Sequence, residues 1–229
     1  MPGKLKYPRA RIVSVFVILM LLVIIMWAGQ RTNAARHFLA AQTILNDMLE
    51  ADQINQAGID EALERIRLAL RTFPGQPDYQ DFAGQLHELM ADREGVVGQQ
   101  RSDLLETAAG HYRKALSVRP LWPYSWVNLL SVKDKLGQVD MEFNKALHRA
   151  VETGPWEPRL QLAVITTGLR RWDRLRRTER NLIREEIIKS LKTQPREVFM
   201  IARTFNRPDL VCDEGSDFAQ IKQWCAMAL

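Results

Sequence analysis

No acidic residue occurs before Asp47, cysteine appears twice in 229 residues, and strand patterning is missing throughout. Each absence excludes something. Without period-2 alternation bounded by turn residues, sandwiches, barrels and alternating βα folds drop out. Two cysteines rule out a disulfide-dense scaffold, and with no nearby histidine they cannot complete a four-ligand zinc site. There is no P-loop, no G-x-G-x-x-G, no G-x-S-x-G and no HExxH frame. His37, His87, His111 and His148 stand apart along the chain and are read as surface or groove-lining residues. Carboxylates such as Glu61, Glu64, Asp134, Glu142, Glu185 and Glu186 are spread at spacings that suit solvated helix faces and i,i+4 pairing. No pattern of acid, base or nucleophile marks an enzyme, and no cofactor or metal is expected.

What is present starts at the N-terminus. Residues 12–29 read IVSVFVILMLLVIIMWAG, eighteen residues with Ser14 as the only hydroxyl. At about 1.5 Å per residue such a helix spans roughly 27 Å, close to the ~30 Å apolar core of a bilayer. It has no polar stripe, and Trp27 lies at its far end, where an interfacial indole belongs. Lys4, Lys6, Arg9 and Arg11 precede it, and only Arg31 and Arg36 follow closely. The positive-inside rule then expects residues 1–11 in the cytoplasm and residues 30–229 across the membrane, in the periplasm of a bacterial inner-membrane protein. A cleaved signal peptide is the competing reading, with a run longer than usual and poor cleavage sites. Both readings place the rest of the chain outside the cytoplasm.

The net charge of +5 resolves the same way. Four of the 32 basic residues precede the apolar run and all 27 acids follow it, leaving a remainder of +1. The basicity belongs mainly to the anchor, where it meets anionic lipid. Nucleic acid is excluded as a partner by charge and compartment.

After the anchor, apolar residues recur at three and four. The spacing predicts helices near 34–50, 59–73, 77–94, 102–119, 122–137, 140–153, 157–171, 174–192, 195–205 and 216–227, separated by glycines and prolines. Aligning the breaks exposes a repeat. Ala62, Ile66, Ala69 and Pro74 are spaced 4, 3 and 5, and so are Ala108, Tyr112, Ala115 and Pro120, and Phe143, Leu147, Ala150 and Pro155. Small residues let the second helix of a hairpin approach its partner, the larger one fills the groove, and proline ends the helix. This resembles the second half of a tetratricopeptide repeat. The first half appears once in good form, as Trp126, Leu129 and Leu136-Gly137. The first and second copies are 46 residues apart, against 35 for the next pair, so an insertion is expected around Gly95–Gln100. The expected class is all-α, an N-terminal transmembrane helix followed by a tetratricopeptide-like helical-hairpin solenoid. The divisions are 1–11 cytoplasmic, 12–29 transmembrane, 30–58 an unpaired leading helix and linker, 59–205 repeats, and 206–229 a C-terminal cap.

Cys212 and Cys225 in that cap form a disulfide in an oxidising compartment; two buried free thiols are the alternative. Two further features carry binding potential. Trp122, Tyr124, Trp126 and Trp156 cluster in the turns of the best repeat, where they stack on sugars, anchor a peptide, or simply pack the hairpins. Arg176, Arg180 and Arg184 share one helical face within a run of arginines that begins at Arg170. They suit an anionic polysaccharide, lipid headgroups or an acidic partner, or make a solvated charged face.

The stretch HYRKALSVRPLWPYSWVNLLSVKDKLGQVDMEFNKALHRAVETGPWEPRLQLAV, the later RRWDRL, and the tail QPREVFMIARTFNRPDLVC with Trp224-Cys225 resemble the VpsP-like polysaccharide-biosynthesis proteins. These are small membrane-anchored tetratricopeptide proteins of bacterial exopolysaccharide gene clusters. The similarity covers roughly residues 105–225, and residues 34–100 depart from the pattern. It implies an accessory role in making or exporting a polysaccharide and brings no catalytic residues. The expected function is a non-enzymatic periplasmic adaptor or scaffold whose curved inner face binds polymerisation or export proteins. The alternatives are an assembly factor or subunit of a secretion, pilus or respiratory complex, and a direct saccharide-binding module.

Overall fold

Every regular element among the described residues is helical. A computed structural model describes residues 8–214 and 219–228, and eleven α-helices account for about four fifths of them. Lys4 and Lys6 of the basic segment lie outside the described residues, as does the stretch 215–218, where the spacing predicts the start of the last helix. The chain divides into two compact units, residues 1–74 and 75–229, and each is described by itself.

The first unit is one hairpin. Helix α1 runs unbroken over Pro8–Glu50, 43 residues, and α2 covers Gln56–Thr72. From Val13 to Trp27 the apolar side chains of α1 are exposed on every face, and none of the most apolar 18-residue window is buried by protein. This is a helix long and apolar enough to cross a membrane, and no described residue covers its apolar stretch. Beyond Gln30 the same helix acquires a single packed stripe. Ala34, Ala41 and Met48 recur every seven residues and are buried, the spacing that returns a side chain to one face. Opposite them α2 buries Ile59, Ala62, Leu63, Ile66 and Ala69. The Asn55 side chain caps α2 by accepting from Gly58 N at 2.9 Å, and the missing Cβ of Gly58 leaves room for the Met48 thioether.

This corrects the expectation for 30–58. The segment is neither unpaired nor separate from the anchor. Residues 30–50 are the second half of α1 and the partner of α2, 51–55 are the turn between them, and 56–58 open α2. The sequence hides this register because Ala34 and Ala41 replace the large residues expected of a first repeat helix.

The second unit stacks three more hairpins and a cap. These are α3 (Pro77–Ala91) with α4 (Gly98–Val118), α5 (Pro123–Lys135) with α6 (Met141–Thr153), and α7 (Pro158–Arg170) with α8 (Arg177–Leu191). Helices α9 (Pro195–Thr204), α10 (Pro208–Glu214) and α11 (Ala219–Ala228) close the chain. Three inter-hairpin turns carry a proline pair three residues apart: Pro74/Pro77, Pro120/Pro123 and Pro155/Pro158. The second of each pair opens a helix, where its absent N–H is unneeded. The repeat residues are core, as their spacing predicts: Ala108, Tyr112, Ala115, Phe143, Leu147 and Ala150 are each no more than 1% exposed.

Two expectations change here. The inserted residues do not swell the loop around Gly95–Gln100. They lengthen α4 to 21 residues, starting at Gly98 rather than 102, after a short turn with Gly95 and Gly98 at positive φ. Helix α10 is an element that the spacing does not predict. Pro208 is not only a break: it opens a short helix that buries Leu210 and Val211.

Buried polar side chains tie neighbouring hairpins together. Ser125 on α5 donates to Asp81 on α3 at 2.6 Å, and Ser131 donates to Glu88 at 2.8 Å. The Asp134 carboxylate, 1% exposed, receives both Arg170 and Arg171 from the end of α7. Burial pushes the Asp81 carboxyl above its ordinary range, opposed by the Ser125 hydroxyl and Arg119.

Candidate functional site: a cation-rimmed groove beside Trp126

A cavity of about 340 Å³ opens between α4, α5 and α6. Its floor is Leu116, Pro120, Trp126 and Leu129, and its rim is Arg113, Lys145 and Arg149, with Ser117 and Glu142. The sequence explains each position. Leu116 follows Ala115 at the end of α4, Trp126 sits in the first turn of α5, and Lys145 and Arg149 share a face of α6 at spacing four.

Trp126 is 6% exposed, and its Nε1 donates to Pro120 O at 2.8 Å. That bond satisfies the indole and holds the turn. The Lys145 ammonium and the Arg149 guanidinium lie 5.7 and 6.0 Å from the ring centroid, within cation–π range. Arg113 donates through Nε and Nη2 to both oxygens of Glu142, each at 2.7 Å. This two-pronged pairing, with Lys133 at 3.5 Å, holds the Glu142 carboxyl below its ordinary range. Three cations and one carboxylate leave a positive rim over an apolar floor. That combination suits an apolar group carrying a negative charge.

The residues singled out by the sequence pattern separate into three groups. Trp126 is a buried wall of the groove. Trp122, Tyr124 and Trp156 are not in it. Trp122 and Tyr124 stack tilted at 5.6 Å, with the Arg119 guanidinium 4.7 Å from the Trp122 ring. Trp156 is 84% exposed. The arginine face is engaged within the chain. Arg176 pairs with the buried Glu179 at 2.7 Å, and Arg180 donates to the carbonyls of Trp172 and Asp173. Arg180, Arg184 and Arg207 all gather on Trp172, with Arg207 nearest at 4.8 Å. The sequence does not reveal this cluster, because Arg207 comes from the turn between α9 and α10. Nor does it reveal Arg113, Glu142, Lys145 and Arg149 as a group. They are separated by up to 36 positions, and only the packing of α4 and α6 on α5 brings them together.

Cys212 and Cys225 are disulfide-bonded, joining α10 to α11, and Trp224 packs against Phe199. His87 and His111 are not isolated in space: their rings stack at 5.3 Å. Burial, then the His87 neighbour, lowers the His111 pKa to about 4. Among the described residues no group of three or more His, Cys, Asp or Glu converges as a metal site would require.

No protein-family model matches the chain, and no curated protein matches it closely enough to count as a relative.

Proposed function

We infer that the protein is a membrane-anchored, non-enzymatic scaffold whose helical hairpins hold a partner protein at the bilayer surface. The observation that supports this most directly is α1, one unbroken helix that has the length and apolarity of a membrane span and supplies half of the first hairpin. A continuous helix passes position and orientation from bilayer to that hairpin without a flexible joint. The groove beside Trp126 is the partner contact, taking an acidic segment with apolar neighbours. Arg113, Lys145 and Arg149 meet its carboxylates, and Trp126 and Leu129 its apolar side chains.

The charge bias around the apolar run supports an N-terminus in the cytoplasm and repeats in the periplasm of a bacterial inner membrane. The resemblance of residues 105–225 to VpsP-like proteins supports an exopolysaccharide polymerisation or export apparatus as the setting. The test is capture from detergent extracts of the native membrane, using the full chain and a Lys145→Glu/Arg149→Glu variant. The wild type is expected to retain glycan-machinery membrane proteins and the variant to lose them while melting at the same temperature. Equal capture by both removes the groove from the reading. Capture of unrelated secretion, pilus or respiratory complexes moves the scaffold to that setting.

A further inference from the structure

The second unit has an edge whose chemistry differs from the rest of its surface. The α4–α5 turn exposes Leu121 (70%) together with the Trp122/Tyr124 pair, and the α6–α7 turn exposes Trp156. These two turns are neighbours. A Cβ on Gly154 would stand 2.9 Å from Pro123 Cβ, so the α6–α7 turn lies against the start of α5. The first turn of α3 belongs to the same edge, since Arg119 donates to Asp78 at 2.8 Å and to Asp81 at 3.0 Å. Two tryptophans, a tyrosine and a leucine are thus presented on one edge, Leu121 and Trp156 largely exposed and Trp122 and Tyr124 partly so.

We propose that this aromatic edge is a second membrane contact, seated in the headgroup zone of the bilayer. Amphipathic rings of Trp and Tyr partition to that zone, and an apolar patch of this kind marks an interaction surface. The chain has a membrane-length helix of its own, so the bilayer is held at high local concentration around the second unit. The tether is short: only Pro74, Gly75 and Gln76 separate Phe73 from α3. In the first unit Phe73 itself lies near the end of the apolar span, with the Arg31 guanidinium 5.0 Å from the Trp27 ring and 5.8 Å from the Phe73 ring. Arg119 is paired with Asp78 and Asp81, and the α6–α7 turn adds one charge of each sign, Glu157 and Arg159. The contact is therefore apolar and aromatic, indifferent to salt and to headgroup charge.

The experiment uses the full chain with Trp27→Phe, so that the span itself contributes no signal, in phosphatidylcholine vesicles with or without bromine low on the acyl chains. Of the five remaining tryptophans, Trp126 and Trp172 are buried and Trp224 is half-buried against Phe199, leaving Trp122 and Trp156 as the exposed indoles. Brominated lipid is expected to quench part of the emission, unchanged at high salt. The quenching should be lost in Trp122→Phe/Trp156→Phe, which keeps the same circular-dichroism melt. Identical emission in brominated and plain vesicles, or quenching that survives the double substitution, overturns the proposal. The first result assigns the edge to a protein or saccharide partner.

Discussion

Two glycine-to-alanine substitutions on one helical hairpin should move stability in opposite directions. Gly84 on α3 faces the ring of Tyr112 on α4, and an added Cβ would lie 2.6, 2.8 and 3.0 Å from three ring atoms. The ring has nowhere to go. Tyr112 is fully buried, and its hydroxyl donates to Glu88 at 3.0 Å. Burial, then the Glu88 carboxylate, raises the Tyr112 pKa well above its ordinary value, so the phenol stays protonated as the donor. Overpacking costs about 1–3 kcal/mol, and a fully buried ring held at its hydroxyl puts this case in the upper half, about 2–3 kcal/mol, offset by about 1 kcal/mol of helix propensity. Gly84→Ala should therefore destabilise the second unit by about 1–2 kcal/mol. At Gly110, inside α4, an added Cβ would meet nothing within 4 Å, so Gly110→Ala should gain about 0.5–1 kcal/mol from propensity alone. At roughly 2–4 °C per kcal/mol for a chain of this size, the two variants should melt about 3–12 °C apart. The assay is thermal unfolding of the full chain in detergent, followed by circular dichroism. A double-mutant cycle with Tyr112→Leu, which removes the clashing ring atoms, should show the combined variant less destabilised than the sum of its parts. Additive losses, or a Gly84→Ala melt equal to wild type, would refute the close α3–α4 approach.

Other outcomes follow from the same contacts. Asp134→Asn removes the buried charge that receives Arg170 and Arg171. Those arginines are 44% and 24% exposed and regain water, so denaturant unfolding should show a loss of about 2 kcal/mol rather than the larger loss of a sealed pair. Reducing Cys212–Cys225 reopens a link between residues 13 apart. It should weaken α11 docking by about 3 kcal/mol, read as roughly hundredfold faster amide exchange over residues 219–228. His111 protonates in the unfolded chain below its ordinary 6.5 but in the folded chain only near 4. Folding stability should therefore fall as pH drops through that window, and His111→Gln should show a shallower fall than wild type in pH-dependent melts.

The helical class is legible because spacing alone reveals an apolar stripe. Ala108, Tyr112 and Ala115, or Phe143, Leu147 and Ala150, return to one face of a helix wherever that helix lies. The apolar run is equally legible, since a bilayer responds to length and polarity and not to a partner. The first hairpin is not. Its α1 half packs through Ala34, Ala41 and Met48, a seven-residue pattern too sparse to distinguish from chance until Ile59, Ala62 and Ile66 face it. The arginine run misleads because composition counts cations without their anions. Arg176 is matched by Glu179 and Arg171 by Asp134, and only folding brings the latter pair within reach.

By itself the sequence determined a lipid-compatible span, an all-helical chain and the residues buried between paired helices, because these depend on periodicity along one element. The tertiary structure decided which cations stay available, where the groove beside Trp126 opens, and which aromatics are left uncovered. Those are properties of side chains from different helices, as with Arg113, Trp126 and Lys145, and their distances are set by how hairpins stack, which no local pattern encodes.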